Sequence, residues 1–363
     1  SAAISACQLG GQWLFPLALL RSMPELRVSP DVVGCSAVIT AAGKAGQWQF
    51  ALAQLGSTRR QRVALDAISC NAAISGCEKG CQWHLPLALL DLMPGLRVAP
   101  DAVSCSAAIS ACEKGAQWQA ALALLGSMDG MRVAPNVVSC SAAISACEKG
   151  GLWQFAVALF SSMAGLRILP HTVTCNAAIS ACEKAGQWQP ALALLGLMRS
   201  HRLLPNVVSC SAAISACEKG AQWQRALALL HCMADLRIAP DVISCNAVVS
   251  ACEKGAQWRC ALQLLGSMSA LQVLPDVISC NAAMGACGKC ARWRSASALF
   301  HSMPGRQVDP NVVSCSSLAA ACERAGQWQQ GLSLLSADAS LSLIPDLAGL
   351  HSNVVMRGTA KKK

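Results

Sequence analysis

Apolar positions in this chain follow a helical rhythm that stops and restarts at fixed intervals. Between residues 102 and 136, Cys105, Ala108, Ile109 and Cys112 keep the i, i+3, i+4, i+7 spacing of one helix face. Gly115 breaks that run. Trp118, Ala121, Leu122, Leu125 and Met128 resume it on a second helix, and Pro135 closes the segment because proline cannot continue a helix. The pattern predicts a helix–turn–helix hairpin.

The same hairpin recurs along the chain. Ten tryptophans (Trp13, Trp48, Trp83, Trp118, Trp153, Trp188, Trp223, Trp258, Trp293 and Trp328) stand 35 residues apart. Pro30, Pro100, Pro135, Pro170, Pro205, Pro240, Pro275, Pro310 and Pro345 keep the same step, with Leu65 the one omission. With boundaries one residue beyond the position after each proline, the complete units are 32–66, 67–101, 102–136, 137–171, 172–206, 207–241, 242–276, 277–311 and 312–346. Residues 1–31 form a unit lacking its first four positions, so the array runs over 1–346, and 347–363 form an irregular basic tail. A single hairpin cannot bury its apolar faces, so the units are expected to stack into a solenoid. Trp118 shares a helix face with Leu122 and Leu125, which favours core packing over a platform for stacking bases.

Composition adds exclusions. Apolar residues make up 54% of the chain, yet nowhere do they run for the roughly 20 residues a membrane span needs. Of the 22 cysteines, eighteen occupy two repeat positions seven residues apart. On one helix that spacing is about 10 Å at ~1.5 Å per residue, too far for a disulfide. They read as small buried apolar side chains in a reducing compartment. His84, His171, His201, His231, His301 and His351 share no repeat position except His231 with His301, and Cys287 with Cys290 is a lone CxxC. Neither gives a zinc or catalytic constellation, so the expectation is no enzyme, no metal and no cofactor. The tail is too short for an added catalytic domain. The chain opens at Ser1 inside a repeat, reads as a fragment of a longer product, and carries no targeting pattern.

The net charge of +10 favours polyanionic partners. Its placement is more informative than its size. Val103, Ser106, Ser110 and Lys114 form one stripe on the first helix, roughly opposite the Cys105/Ile109/Cys112 face. Stacking would align the lysine ends into a rung: Lys44, Lys79, Lys114, Lys149, Lys184, Lys219, Lys254 and Lys289, with Arg324 in the last unit. A row of cations beside small polar groups suits a single-stranded nucleic acid. The plainer alternative is a solvated face partly neutralised by the preceding glutamate, such as Glu113. Within nearly verbatim repeats, the Ser106 position alternates between Ser and Asn, and the closing position, Asn136 here, varies among Asp, Asn and one His. Both sites exchange donors and acceptors at similar size. Helix N-capping explains the polar closing residue but not the paired variation.

The 35-residue period and the phrase Val-Val-Ser-Cys-(Ser/Asn)-Ala-Ala-Ile-Ser-Ala-Cys-Glu-Lys-Gly resemble the pentatricopeptide repeat proteins. So do the Gln-Trp-Gln, Ala-Leu, Leu-Leu, Met and Pro-Asp that follow. The wording is especially like the uniform arrays of dinoflagellate algae, and it departs from the family in that the usual first-helix tyrosine is cysteine in all nine complete units. The resemblance implies an all-α, right-handed superhelical solenoid that binds single-stranded RNA at one base per repeat. The base-reading pairs carried over are Ser1 with Asp31, Ser36 with Asp66, Asn71 with Asp101, Ser106 with Asn136 and Ser141 with His171. They continue as Asn176 with Asn206, Ser211 with Asp241, Asn246 with Asp276, Asn281 with Asn311 and Ser316 with Asp346. Val33, Ile68, Val103, Val138, Val173, Val208, Ile243, Ile278 and Val313 would wedge between bases, and the lysine rung with Arg324 would contact phosphates. In the family, Ser with Asp reads G, Ser with Asn reads A, Asn with Asp reads U, and Asn with Asn reads a pyrimidine. The array then spells G-G-U-A-any-Y-G-U-Y-G. The resemblance further implies an organellar setting (chloroplast before mitochondrion) and RNA-processing proteins as further partners, with no membrane and no small-molecule substrate. A peptide-binding scaffold is the alternative.

Overall fold

The structure is a computed structural model, and it describes residues 32–60 and 65–327 together with the isolated positions 14, 18 and 329. Apart from those isolated positions, the first unit, the second helix expected in the last unit and the basic tail lie outside that description. The described residues form helical hairpins, numbered here in chain order. The first four are α1 (Val32–Lys44) with α2 (Trp48–Arg60), α3 (Ala67–Lys79) with α4 (His84–Leu92), α5 (Ala102–Lys114) with α6 (Trp118–Gly130), and α7 (Val137–Lys149) with α8 (Trp153–Gly165). Next come α9 (Thr172–Lys184) with α10 (Trp188–Ser200), α11 (Val207–Lys219) with α12 (Trp223–Asp235), α13 (Val242–Lys254) with α14 (Trp258–Ser267), and α15 (Val277–Lys289) with α16 (Trp293–Ser302). The last is α17 (Val312–Arg324). The fold is an all-α repeat. Two short 3₁₀ turns, Pro94–Leu96 and Pro304–Arg306, begin at prolines that end α4 and α16 early.

The chain divides into two compact bodies at Ala181/Cys182, within α9. In the first body, α1 packs on α3, α3 on α5 and α5 on α7, and each of α2, α4 and α6 lies between its own first helix and the next. In the second body, α11, α13, α15 and α17 repeat the arrangement, with α12, α14 and α16 between them. A first helix thus has neighbours on several sides. In α5, Cys105, Ala108, Ile109 and Cys112 are fully buried as the spacing predicts, but Ser104, Ser106, Ala107 and Ala111 are buried too. Small side chains allow this close approach. At the α1–α3 crossing a Cβ on Gly43 would meet the Ala72 carbonyl oxygen at 2.2 Å, so no larger residue fits there.

Second helices bury a narrower face. In α6 it is Ala121, Leu124 and Met128, whereas Leu122 and Leu125 are half-buried. Trp118 is half-buried as well, not enclosed, and works between repeats: a Cβ on Gly150 of the next unit would sit 2.6 Å from its Cδ1. Trp48 meets Gly80, Trp188 meets Gly220 and Trp223 meets Gly255 in the same way. The glycine after the first helix therefore makes room for an indole. It does not supply the left-handed turn, since Gly115 has φ −78° and the residue after it, Ala116, has φ 54°. The equivalent of Ala116 is glycine at Gly46, Gly151, Gly186 and Gly326. A left-handed alanine is disfavoured by roughly 1–2 kcal/mol, partly offset by glycine's greater freedom in the unfolded chain. Ala116→Gly is expected to stabilise the first body by roughly 0.5–1 kcal/mol, read from a denaturant midpoint; a destabilised variant would contradict this.

Among the described residues, the cysteines at the two repeat positions are buried, and all cysteines are thiols, not disulfides. Burial pushes the thiols of Cys77, Cys112, Cys147 and Cys182 up to about 11. They are unreactive packing groups. No helix among the described residues is long and apolar enough to cross a membrane.

Candidate functional site

Each first helix begins at the closing residue of the unit before it. Asp66, Asp101, Asn136, Asn206, Asp241, Asp276 and Asn311 all hold extended backbone there. Each accepts the backbone N–H three residues on, as in Ser104 N to Asp101 Oδ1 at 2.8 Å and Ser139 N to Asn136 Oδ1 at 2.8 Å. His171 caps α9 with Nδ1 accepting from Thr174 N at 3.1 Å. The capping alternative raised by the sequence is therefore realised.

The same side chains also meet the other varying position. Ser36 Oγ donates to Asp66 Oδ1 at 3.2 Å, Ser106 Oγ to Asn136 Oδ1 at 3.2 Å and Ser211 Oγ to Asp241 Oδ1 at 3.3 Å. Asn71 Nδ2 reaches both carboxylate oxygens of Asp101 at 3.2 and 3.1 Å, Asn246 Nδ2 both of Asp276 at 3.1 and 3.0 Å, and Asn281 Nδ2 the Asn311 Oδ1 at 3.3 Å. Six pairs set out from the sequence are thus in direct contact across 30 residues of chain. Ser141 and His171 are linked through the Thr174 hydroxyl, at 2.6 and 2.7 Å. Asn176 and Asn206 belong to different bodies. Ser1, Asp31 and Asp346 lie outside the described residues, and with them the first and last pairs.

One participant was not singled out by the sequence. The third residue of each first helix (Ser69, Ser104, Ser139, Thr174, Ser209, Ser244, Ser279 or Ser314) is fully buried. The hydroxyls of Ser69, Ser104, Thr174, Ser244, Ser279 and Ser314 bond side chains of the pair, whereas that of Ser139 bonds the Asn136 backbone. Ser314 Oγ donates to Asn281 Oδ1 at 2.6 Å, Ser279 Oγ to Asn246 Oδ1, and Ser69 Oγ to Ser36 Oγ at 2.7 Å. Its signal was present: a hydroxyl recurs there in every complete unit except at Gly34, on a position the neighbouring cysteine shows to be core. The reading serines are also less open than their stripe suggested. Ser106 is only 6% exposed, and its single hydroxyl proton is shared between the Ala102 carbonyl at 2.5 Å and the more distant Asn136 Oδ1.

By contrast, Val33, Ile68, Val103, Val138, Val173, Val208, Ile243, Ile278 and Val313 are all exposed, between 55% and 65%. One large aliphatic side chain per repeat, held in water at one helical position, is a pattern that core packing does not explain. Between Ile68 and Val103 lies an open cavity of about 310 Å³, lined also by Asn71, Thr40, Lys44 and Lys79. The wedge, reading and cation positions of neighbouring units therefore border one space. Five lysines of the rung are bound to glutamates of the previous unit, not their own, among them Lys114 to Glu78 at 2.9 Å, Lys149 to Glu113 at 2.9 Å and Lys254 to Glu218 at 2.6 Å.

Family models match the chain in this region. The model described as PPR repeat family matches residues 275–324, Pentatricopeptide repeat domain matches 158–219 and 228–290, and PPR repeat matches 138–168. The chain belongs to the pentatricopeptide repeat family. No curated protein matches it at a significant level. Among solved structures, it is similar to the pentatricopeptide repeat protein PPR10 from maize, at 15% identity and TM-score 0.41, over 92% of this chain and 62% of that one. It is similar to PPR10 in complex with an 18-nt psaJ RNA element at 19% identity and TM-score 0.44, over 92% and 57% of the two chains. To the PPR domain of Arabidopsis thaliana protein-only RNase P 1 in complex with tRNA it is 12% identical at TM-score 0.44, over 52% and 95%. The chain spans about six-tenths of the length of the first two.

In these pentatricopeptide repeats the Asn–Asp pairs hold a charge. Burial opposes ionisation of Asp101, but the Ser104 N–H, the Asn71 amide, the Ser104 hydroxyl and the Val103 N–H outweigh it and hold the carboxyl below its ordinary range. Asp276 is held low by the same set of donors from Ser279, Asn246 and Ile278, again against burial. Both are carboxylates at neutral pH. Among the described residues no group of three or more metal-ligating side chains comes together.

Proposed function

We propose that the array binds single-stranded RNA and reads about one base per repeat through the cap-linked pairs. The observation that carries this reading is the cap itself. A backbone N–H can only donate, so the closing residue must turn an oxygen toward it. An aspartate then has Oδ2 left over, as Asp66 and Asp241 do, with no partner for it among the described residues. An asparagine in the same cap has Nδ2 left over, as Asn136 does. Capping and reading are one geometry with two outputs, an acceptor or a donor. An acceptor suits the N1–H and N2–H of guanine, and a donor suits N1 of adenine. In the Asn–Asp pairs both carboxylate oxygens are engaged by Nδ2, whose second N–H remains for the carbonyl acceptors of a pyrimidine. The exposed wedge residues would separate successive bases, and the cations would track the backbone. An organellar role in RNA processing, stabilisation, splicing or editing accords with the family resemblance.

Selection from a random RNA pool tests the reading. The expected enrichment is a core that follows G-U-A and, after one open position, Y-G-U-Y. A pool that emerges without a shared motif, or equal affinity for unrelated peptides, would instead favour a scaffold.

A further inference from the structure

In the proposed RNA complex, the lysine rung would supply the phosphate contacts, yet most of its described members already have an anion. Lys114, Lys149, Lys219, Lys254 and Lys289 lie 2.6–3.1 Å from glutamates one repeat earlier, and those glutamates are 19–29% exposed. A phosphate approaching such a lysine meets a neutral pair. It must either share the cation with a carboxylate a few ångströms away or displace a half-buried one, and both cost free energy. The ladder is interrupted at two points where glycine stands in place of the glutamate. Gly43 leaves Lys79 without a carboxylate, and its Nζ donates to the Lys44 carbonyl at 2.6 Å. Gly288 does the same for Arg324, which has no acidic partner among the described residues. At each interruption the groove face opens into a cavity: about 310 Å³ bordered by Gly43, Lys44 and Lys79 in the first body, and about 370 Å³ bordered by Gly288 and Arg324 in the second, where the Lys289–Glu253 pair also lines the wall and Arg324 supplies the cation without a carboxylate of its own.

We infer that the phosphate-binding sites of this array are these two glycine-opened, cation-lined cavities, and that the glutamate-paired lysines are structural rungs joining one repeat to the next. The inference rests on the polyanion-binding part of the proposed function and narrows it. The two glycines are not equivalent. A Cβ at Gly43 would strike backbone, whereas one at Gly288 would find its nearest neighbour, the Ala321 Cβ, at 3.4 Å. The second site can therefore be closed by substitution and the first cannot.

The test is the salt dependence of binding, measured with two probes: a ten-nucleotide single-stranded RNA and inorganic polyphosphate, which has the charge and no bases. Each phosphate contact contributes about 0.7 log units of affinity per tenfold change in salt on a single strand. Lys79→Gln and Arg324→Gln are each expected to lower the RNA slope by about that amount, and Gly288→Glu to act like Arg324→Gln. Lys114→Gln and Lys254→Gln should leave the slope nearly unchanged, while Glu218→Gln, which frees Lys254, should raise it by about 0.7. Equal losses from all four cation variants, or no gain from Glu218→Gln, would overturn the inference. Polyphosphate showing this pattern without motif-selective RNA binding would uphold the two sites and remove the base-reading proposal. Failure to bind either probe would remove both.

Discussion

Trp118→Ala is expected to destabilise the first body by about 3 kcal/mol, the lower end of the range for truncating a buried aromatic. The low end applies because the ring is half-buried. It is nonetheless the piece of α6 that enters the next repeat, with Cδ1 against Gly150 and the ring 6.4 Å from that of Phe155. Because repeats contact only their neighbours, the loss should concentrate at one interface and separate the unfolding of the hairpins on its two sides. Hydrogen exchange should rise first in α5 to α8, with a broadened denaturant transition. Unchanged exchange and melting, combined with lost RNA binding, would put the indole among the base-stacking groups instead.

Much of this architecture was legible because the repeat is its own control. The 3.6-residue spacing in one unit located α5 and α6, and variation within near-identical units singled out two positions, paired as base readers by the family resemblance, whose direct contact at Ser36–Asp66, Asn71–Asp101 and Ser106–Asn136 only the stacked arrangement reveals. Periodicity within a helix, however, gives azimuth and not the share of the circumference that neighbours cover. Hence Ser106 looked like an open stripe residue although helices on both sides bury it, and Ser104 was passed over as one more small residue between Val103 and Cys105. The register between repeats was invisible for the same reason. Glu113 stands beside Lys114 in sequence, yet its carboxylate binds Lys149. Gly115 carried the expected helix end, but the need for it is the neighbouring indole, which only the stacked arrangement reveals.

Exchanging one atom should change the base. Asn136→Asp keeps the cap of α7, since Asp101 and Asp276 cap their helices with the same bond to the residue three on. It also keeps the contact with Ser106, because Ser211 makes that contact to Asp241. What changes is the atom left over, from an amide N–H₂ to a carboxylate oxygen. The stability change should stay within about 0.5 kcal/mol, as Asp and Asn cap nearly equally. Preference at the fourth base should move from A to G by roughly 1–3 kcal/mol, the scale of discrimination from a specific base contact.

The decisive measurement is a competition between ten-nucleotide RNAs that differ only at the fourth base, run at one salt concentration so that phosphate contacts cancel, with wild-type protein and Asn136→Asp side by side. Wild type should favour A, and the variant should favour G by a factor of about ten or more. A variant that melts normally, binds RNA as tightly as wild type and still prefers A, or prefers nothing, would mean that the closing residue caps the helix without reading the base.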